Sequence, residues 1–209
     1  MKRYWILGGV IVFIGVALAL VLNANSADDG QLTERKVTAE QLRQWLNNKK
    51  DAIYEIRKDE FYVQEAIGSQ GVSLTIPQKF FNDFIVRFSL MSVTESANIK
   101  LIKVNTANGD TYSFEIRQRP EGYRFRVYHN GHSIAEKDAD VLEPNVFYGV
   151  SFEKHANHMA LKLNDKELWR QDFPDGTGRK SMFNILLLGL PDHPAGIVIK
   201  DMVLYTGKK

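Results

Sequence analysis

Phe84-Ile85-Val86-Arg87-Phe88-Ser89-Leu90 sets Phe84, Val86, Phe88 and Leu90 on one side of an extended chain, with Ile85, Arg87 and Ser89 on the other. Period two over seven residues fits a half-buried β-strand; a helix would scatter the four apolar side chains around its circumference. The same alternation recurs on both sides. Upstream, Val72, Leu74 and Ile76 alternate with Ser73 and Thr75 until Pro77. Ile53–Ile56 and Phe61–Val63 flank Arg57-Lys58-Asp59-Glu60, which reads as a hairpin. Downstream, Ile99 to Val104 is a strand. Tyr112, Phe114 and Ile116 then alternate with Ser113, Glu115 and Arg117, and Phe125 and Val127 with Arg124, Arg126 and Tyr128. Asn108-Gly109 and Asn130-Gly131 are hairpin turns, since Asn and Gly accept the positive φ that tight two-residue turns need. Residues 132–145 read as a looser segment. Strand patterns resume at Tyr148–Phe152, at Met159–Leu163 (closed by Asn164-Asp165) and at Lys166–Asp172. Phe183–Gly189 is nearly all apolar and reads as buried on both faces or at a sandwich centre; Ile197–Tyr205 is the last strand. About a dozen short strands at regular turn spacing mean an all-β sandwich or barrel, not alternating β and α.

Ahead of this pattern stands Tyr4 to Leu22, YWILGGVIVFIGVALALVL, uncharged throughout. As a helix it would span roughly 28 Å, close to the ~30 Å hydrocarbon core of a bilayer. Lys2 and Arg3 precede it and no base follows until Arg35, so residues 1–3 are expected in the cytoplasm and the remainder outside. A cleavable signal peptide, cut after Ser26 or Ala27, is the alternative; the length of the apolar run favours a retained single-pass anchor. Gly8, Gly15 and Ala19 share one helical face, where small residues let a second helix approach. Residues 23–50 read as a tether and a short helix. Thr38 and Gln41 form a capping box, and Leu42, Trp45 and Leu46 make an apolar face. Residues 51–209 are the expected β-sandwich.

The chain has 209 residues, no cysteine and a net charge of +2. Disulfide staples, Cys-ligated zinc and a thiol nucleophile are thereby excluded, and so is a strong electrostatic case for nucleic acid. With no N-glycosylation sequon, the expected setting is the bacterial inner membrane, with the sandwich periplasmic or extracellular.

Four segments resemble the concanavalin A-like, laminin-G-like jelly rolls. They are Phe84–Leu90, Leu142–Val150 (with Phe147 where that family favours Trp), Leu161–Leu168 (with Asp165 in place of Gly) and Ile199–Tyr205. Tyr54–Val63 is similar to the opening hairpin of the DUF1080 branch. The likeness covers residues 52–206. It implies two curved antiparallel sheets that bind glycan or protein on a concave face or its rim, or hydrolyse glycans. The glycanase branch carries Glu and Asp alternating along one strand; the nearest cluster here, Glu136-Lys137-Asp138-Ala139-Asp140, reads as a solvated loop. The resemblance also raises calcium at Asp138 or Asp140; no other cofactor is expected.

The residues offer one candidate patch: Arg117, Arg124, Arg126, Tyr128 and His129 in one hairpin, with Trp169 as a further aromatic. Arg and Tyr on a sheet face suit acidic glycan, a phospholipid headgroup or a protein partner; the plain alternative is a solvated face with Glu115 paired to an Arg. His155 and His158 lack the further ligands a zinc site requires. No G-x-S-x-G elbow and no phosphate-binding glycine loop occurs, so no catalytic residue is assigned. The function expected from sequence is a non-enzymatic adaptor subunit of an envelope complex with an integral-membrane or envelope protein partner. The alternatives are a membrane-tethered glycan-binding or carbohydrate-active protein, for which Trp169, Tyr128 and Arg126 would have to converge, and a structural protein that self-associates through its helix.

Overall fold

The alternating segments close into two antiparallel sheets stacked face to face. The computed structural model describes residues 32–69, 71–76, 80–81, 83–94, 98–105, 109–119, 122–139, 143–173, 180–181, 183–189 and 193–207. Tyr4–Leu22, with Gly8, Gly15 and Ala19, lies outside these, and among the described residues no helix is long and apolar enough to cross a membrane.

The first sheet runs in the order β14 (Lys166–Asp172), β13 (His158–Leu163), β12 (Phe147–Lys154), β7 (Phe84–Ser92), β17 (Gly196–Thr206), β4 (Glu60–Glu65) and β3 (Ala52–Arg57). β1 (Thr33–Lys36) joins it along the second half of β17. The second sheet runs β11 (His132–Ala139), β10 (Gly122–His129), β9 (Thr111–Arg119), β8 (Asn98–Asn105), β16 (Phe183–Leu187), β5 (Val72–Thr75) and β2 (Leu46–Asn47). β6 (Phe80–Phe81) and β15 (Lys180–Ser181) form a small ribbon.

β7 does what its alternation dictates: Phe84, Val86, Phe88 and Leu90 are buried and Arg87 is exposed. Aromatic contacts run between the sheets. Phe152 of the first lies 5.4 Å from Phe114 and 5.9 Å from Phe183 of the second, ring centre to ring centre. Such offset and edge contacts add to the ~25 cal/mol per Å2 gained by removing apolar area from water. β16 is a central strand, but its inner side chains Phe183, Ile185 and Leu187 alternate with half-buried Asn184 and Leu186. The apolar run therefore marks one buried face, not two. In β17 the buried set changes phase, from Ile197 and Ile199 to Met202 and Leu204. A bulge between Lys200 and Val203, with Asp201 at φ 53°, inserts the residue that causes the change.

Three expectations are corrected. Residues 33–36 are not tether but strand β1, in register with Val203–Thr206. The helix α1 (Ala39–Trp45) is part of the core rather than a linker. Its capping box is present: the Thr38 hydroxyl accepts the Gln41 N–H at 3.3 Å, and the Gln41 side chain accepts the Thr38 N–H at 3.0 Å. Its apolar face buries Leu42 and Trp45 between the sheets before the chain enters β2. Residues 132–139 are not loose. They form β11, whose weak pattern comes from its position: at the sheet edge Ala135 is the one described side chain that is half-buried against the core, so little selects for apolar residues.

Candidate functional site

β9 and β10 carry the site. Phe114 and Ile116 point inward with Phe125 and Val127, so the residues between them face outward on the second sheet. Strand register then writes two rows across that face. In the first, Tyr128, Ser113, Lys103, Asn184 and Thr75 are successive partners across β10, β9, β8, β16 and β5. The Asn47 side-chain amide closes this row by donating to the hydroxyls of Thr75 (2.6 Å) and Ser73 (3.2 Å). In the second, Glu136, Arg126, Glu115 and Lys100 are partners across β11, β10, β9 and β8. Arg124 stands beside this row, opposite Arg117 on β9 and Asp138 on β11.

Charge and burial give the face its character. Glu115 is on the solvent side of the sheet yet only 3% exposed, so it forms the floor of the face. Glu136 holds two guanidinium groups side by side: Arg124 donates to Oε1 at 2.8 Å and Arg126 to the same oxygen at 3.0 Å. Arg126 Nε is also 2.9 Å from Glu136 Oε2, but its N–H is not directed at that oxygen and bonds no other described acceptor. The hydrogen bond from Arg126, opposed by burial and reinforced by Arg124, keeps Glu136 below the usual carboxylate range. Hydrogen bonds to Glu136 and then Tyr128 push Arg126 upward, so it is charged at any working pH.

The predicted patch is split in two. Arg124, Arg126 and Tyr128 share the outer face, with Arg117 at its register position on β9. His129 does not belong with them. It stacks on inward-facing Tyr112 at 4.7 Å and meets Asp110 at 3.0 Å; hydrogen bonds from Asn130 and then His129 hold that Asp110 low. Trp169 also lies on the inner side, 5.0 Å from Phe114 and 6.5 Å from Tyr112. Convergence of Trp169 with Tyr128 and Arg126 is therefore ruled out, because the second sheet stands between them. Glu136 and Asp138 are on strand β11, not in a loop, and Asp138 is 92% exposed; Asp140 is outside the described residues. His155 and His158 stack at 4.5 Å, with His155 4.0 Å from Asp83. Among the described residues no group of three suitable side chains could hold a metal ion.

Local sequence offers Glu115 only as an ion-pair partner and marks none of Ser113, Lys103, Asn184, Thr75 and Asn47 as a site residue. Their signal was the polar phase of four alternating strands, which becomes a surface only when the strand order is known. Of the hollows among the described residues, two lie away from this face. One, of about 630 Å3, sits between Thr38–Glu40, the Lys58–Asp59 turn and the β17 bulge, over Ile56, Met202 and Val203. The other, of about 490 Å3, lies over Met91 and Val198, and the charges around it are mutually paired, Arg57 with Glu55 and Glu60 with Lys200. Neither gathers hydroxyl, amide and guanidinium groups as the second sheet does.

The sequence matches no family model and no curated protein. Solved structures do share the fold. The Emp47p carbohydrate recognition domain matches with a TM-score of 0.57 at 14% identity, over 87% of this chain and 100% of that one. A prokaryotic β-1,3-1,4-glucanase (lichenase) from a mouse hindgut metagenome matches at 0.58 and 12%, over 84% and 100%. The alginate lyase AlgAT5 of Polysaccharide Lyase family 7 matches at 0.57 and 10%, over 81% and 88%. The fold is that of the concanavalin A-like jelly-roll sandwiches, as the four sequence segments had implied. Identities this low establish the architecture alone.

Proposed function

We propose that this chain is a glycan-binding β-sandwich, held at a membrane by Tyr4–Leu22, that takes its ligand on the outer face of the second sheet. One observation carries the reading: the unbroken row Tyr128–Ser113–Lys103–Asn184–Thr75, flanked by Arg126 and Glu115. Sugars present both donors and acceptors along an extended chain, and this row offers phenol, hydroxyl, ammonium and amide groups across five strands. The fold neighbours support it, being a carbohydrate recognition domain, a glucanase and an alginate lyase by name. They favour the glycan alternative over the adaptor role expected from sequence. Glu136 is committed to holding Arg124 and Arg126 in place, so the reading is one of binding and assigns no catalytic residue.

Affinity electrophoresis of the full-length chain in mild detergent, through gels containing single polysaccharides, tests the proposal. At least one polysaccharide should retard the protein, and Arg126→Ala and Ser113→Leu should abolish the retardation. Free migration in every gel, or retention by both variants, would overturn it.

A further inference from the structure

Resting on that reading, we infer that the ligand is an acidic glycan whose sugar carboxylates are read by Arg124, Arg126 and Lys103. Among the described side chains the face carries three bases, Lys103, Arg124 and Arg126, and three acids, Glu115, Glu136 and Asp138. Their placement differs: Glu115 is buried, so the cations are what an arriving ligand meets. Glu136 is a single carboxylate shared by two guanidinium groups, so that triad carries a net positive charge. Asp138, at 3.7 Å from Arg124 and almost wholly in water, does little to cancel it. Lys103 stands exposed between Ser113 and Asn184, and no carboxylate among the described residues pairs with it.

Geometry favours a carboxylate over a neutral hydroxyl as the group recognised. The Glu136 oxygens fix Arg124 and Arg126 in place before any ligand arrives, so little side-chain entropy is lost on binding. A planar guanidinium fork matches a planar carboxylate through paired charge-assisted hydrogen bonds, which are shorter and stronger than neutral ones. Lys103 supplies a second positive point two strands from Tyr128, roughly 10 Å away at ordinary strand spacing. Two cationic points spaced along a row of hydroxyl and amide groups suit a polymer that repeats its charge. In the hollow over Met91 and Val198 the charges pair one to one, Arg57 with Glu55 and Glu60 with Lys200, and no carboxylate there is shared by two bases.

The test uses full-length protein in mild detergent, with oligogalacturonate and oligomannuronate as probes beside their methyl esters, which keep the sugar backbone and remove the charge. Isothermal titration should show binding of at least one acidic oligomer and a loss of about tenfold or more on esterification. Affinity should also fall as salt rises from about 50 to 500 mM, because exposed charges are screened. Lys103→Gln and Arg124→Gln should each weaken the acid about tenfold and the ester by a much smaller factor. An ester that binds as tightly as its acid, with Arg126→Ala abolishing both, would refute the acidic ligand while leaving glycan binding standing. No binding of any acidic or neutral oligosaccharide would overturn both readings.

Discussion

Lys154 permits a quantitative test of the packing. It lies on the inward phase of β12, between the partners Phe84 and Met159, and is wholly buried. Burial disfavours its ammonium form and lowers its pKa from 10.5 to about 8, against the opposing charge of Asp83. Below about pH 8 both folded and unfolded chains hold the proton, and the folded state carries the full cost of a buried cation. Between about pH 8 and 10.5 the folded chain has released its proton while the unfolded chain still binds one, so stability rises with pH across that window. A shift of this size contributes about 2–3 kcal/mol between pH 7 and pH 10. In a protein of this length that is roughly 5–10 °C in Tm. Other lysines and tyrosines titrate in the same range, so the informative quantity is a difference. Lys154→Met keeps the volume and removes the titration. Denaturant unfolding of both proteins, followed by tryptophan fluorescence from pH 7 to 10, should show the native protein gaining about 2–3 kcal/mol on the variant. The starting gap depends on how Met packs beside Asp83, but the slope does not. Parallel stability curves across the window would show that Lys154 titrates normally, and the account of its burial would be wrong.

Two further changes test the loops that close the sandwich. Glu65, 3% exposed, accepts the Ala195 N–H at 2.9 Å and also the Gly189 N–H, pinning the chain between β16 and β17. A Cβ at Gly189 would come within 2.6 Å of that carboxylate and of the His193 carbonyl. Gly189→Ala should therefore cost about 2–3 kcal/mol, read as a lower denaturant midpoint with an unchanged m-value. Asn164 and Asp165 both turn at positive φ, 47° and 61°, in the β13–β14 hairpin. Asp165→Gly removes a Cβ from the left-handed region and should stabilise by about 0.5–1 kcal/mol in the same assay; a neutral or destabilising result would mean that the aspartate side chain holds the turn.

What the sequence determined by itself follows from local periodicity. Alternation in β7, β9 and β10 was sufficient to assign strands and their buried faces, because a side-chain period of two leaves one choice of inner set. Thr38 and Gln41 marked the start of α1 for an equally local reason, since a capping box closes within one turn. The sequence was silent wherever a segment takes its structure from a partner far along the chain. β1 is a strand because β17, some 170 residues on, offers it an edge; β11 is one because β10 does. The phase change at Asp201 is visible only once both edges of β17 are occupied. The candidate site divides in the same way. Arg124, Arg126 and Tyr128 were legible as one face of a hairpin. That Lys103, Asn184, Thr75 and Asn47 continue that face, and that His129 and Trp169 lie behind it, depends on strand order and on which sheet each strand joins. Those are set by packing two hydrophobic faces against each other over the whole domain, and no window of sequence contains both.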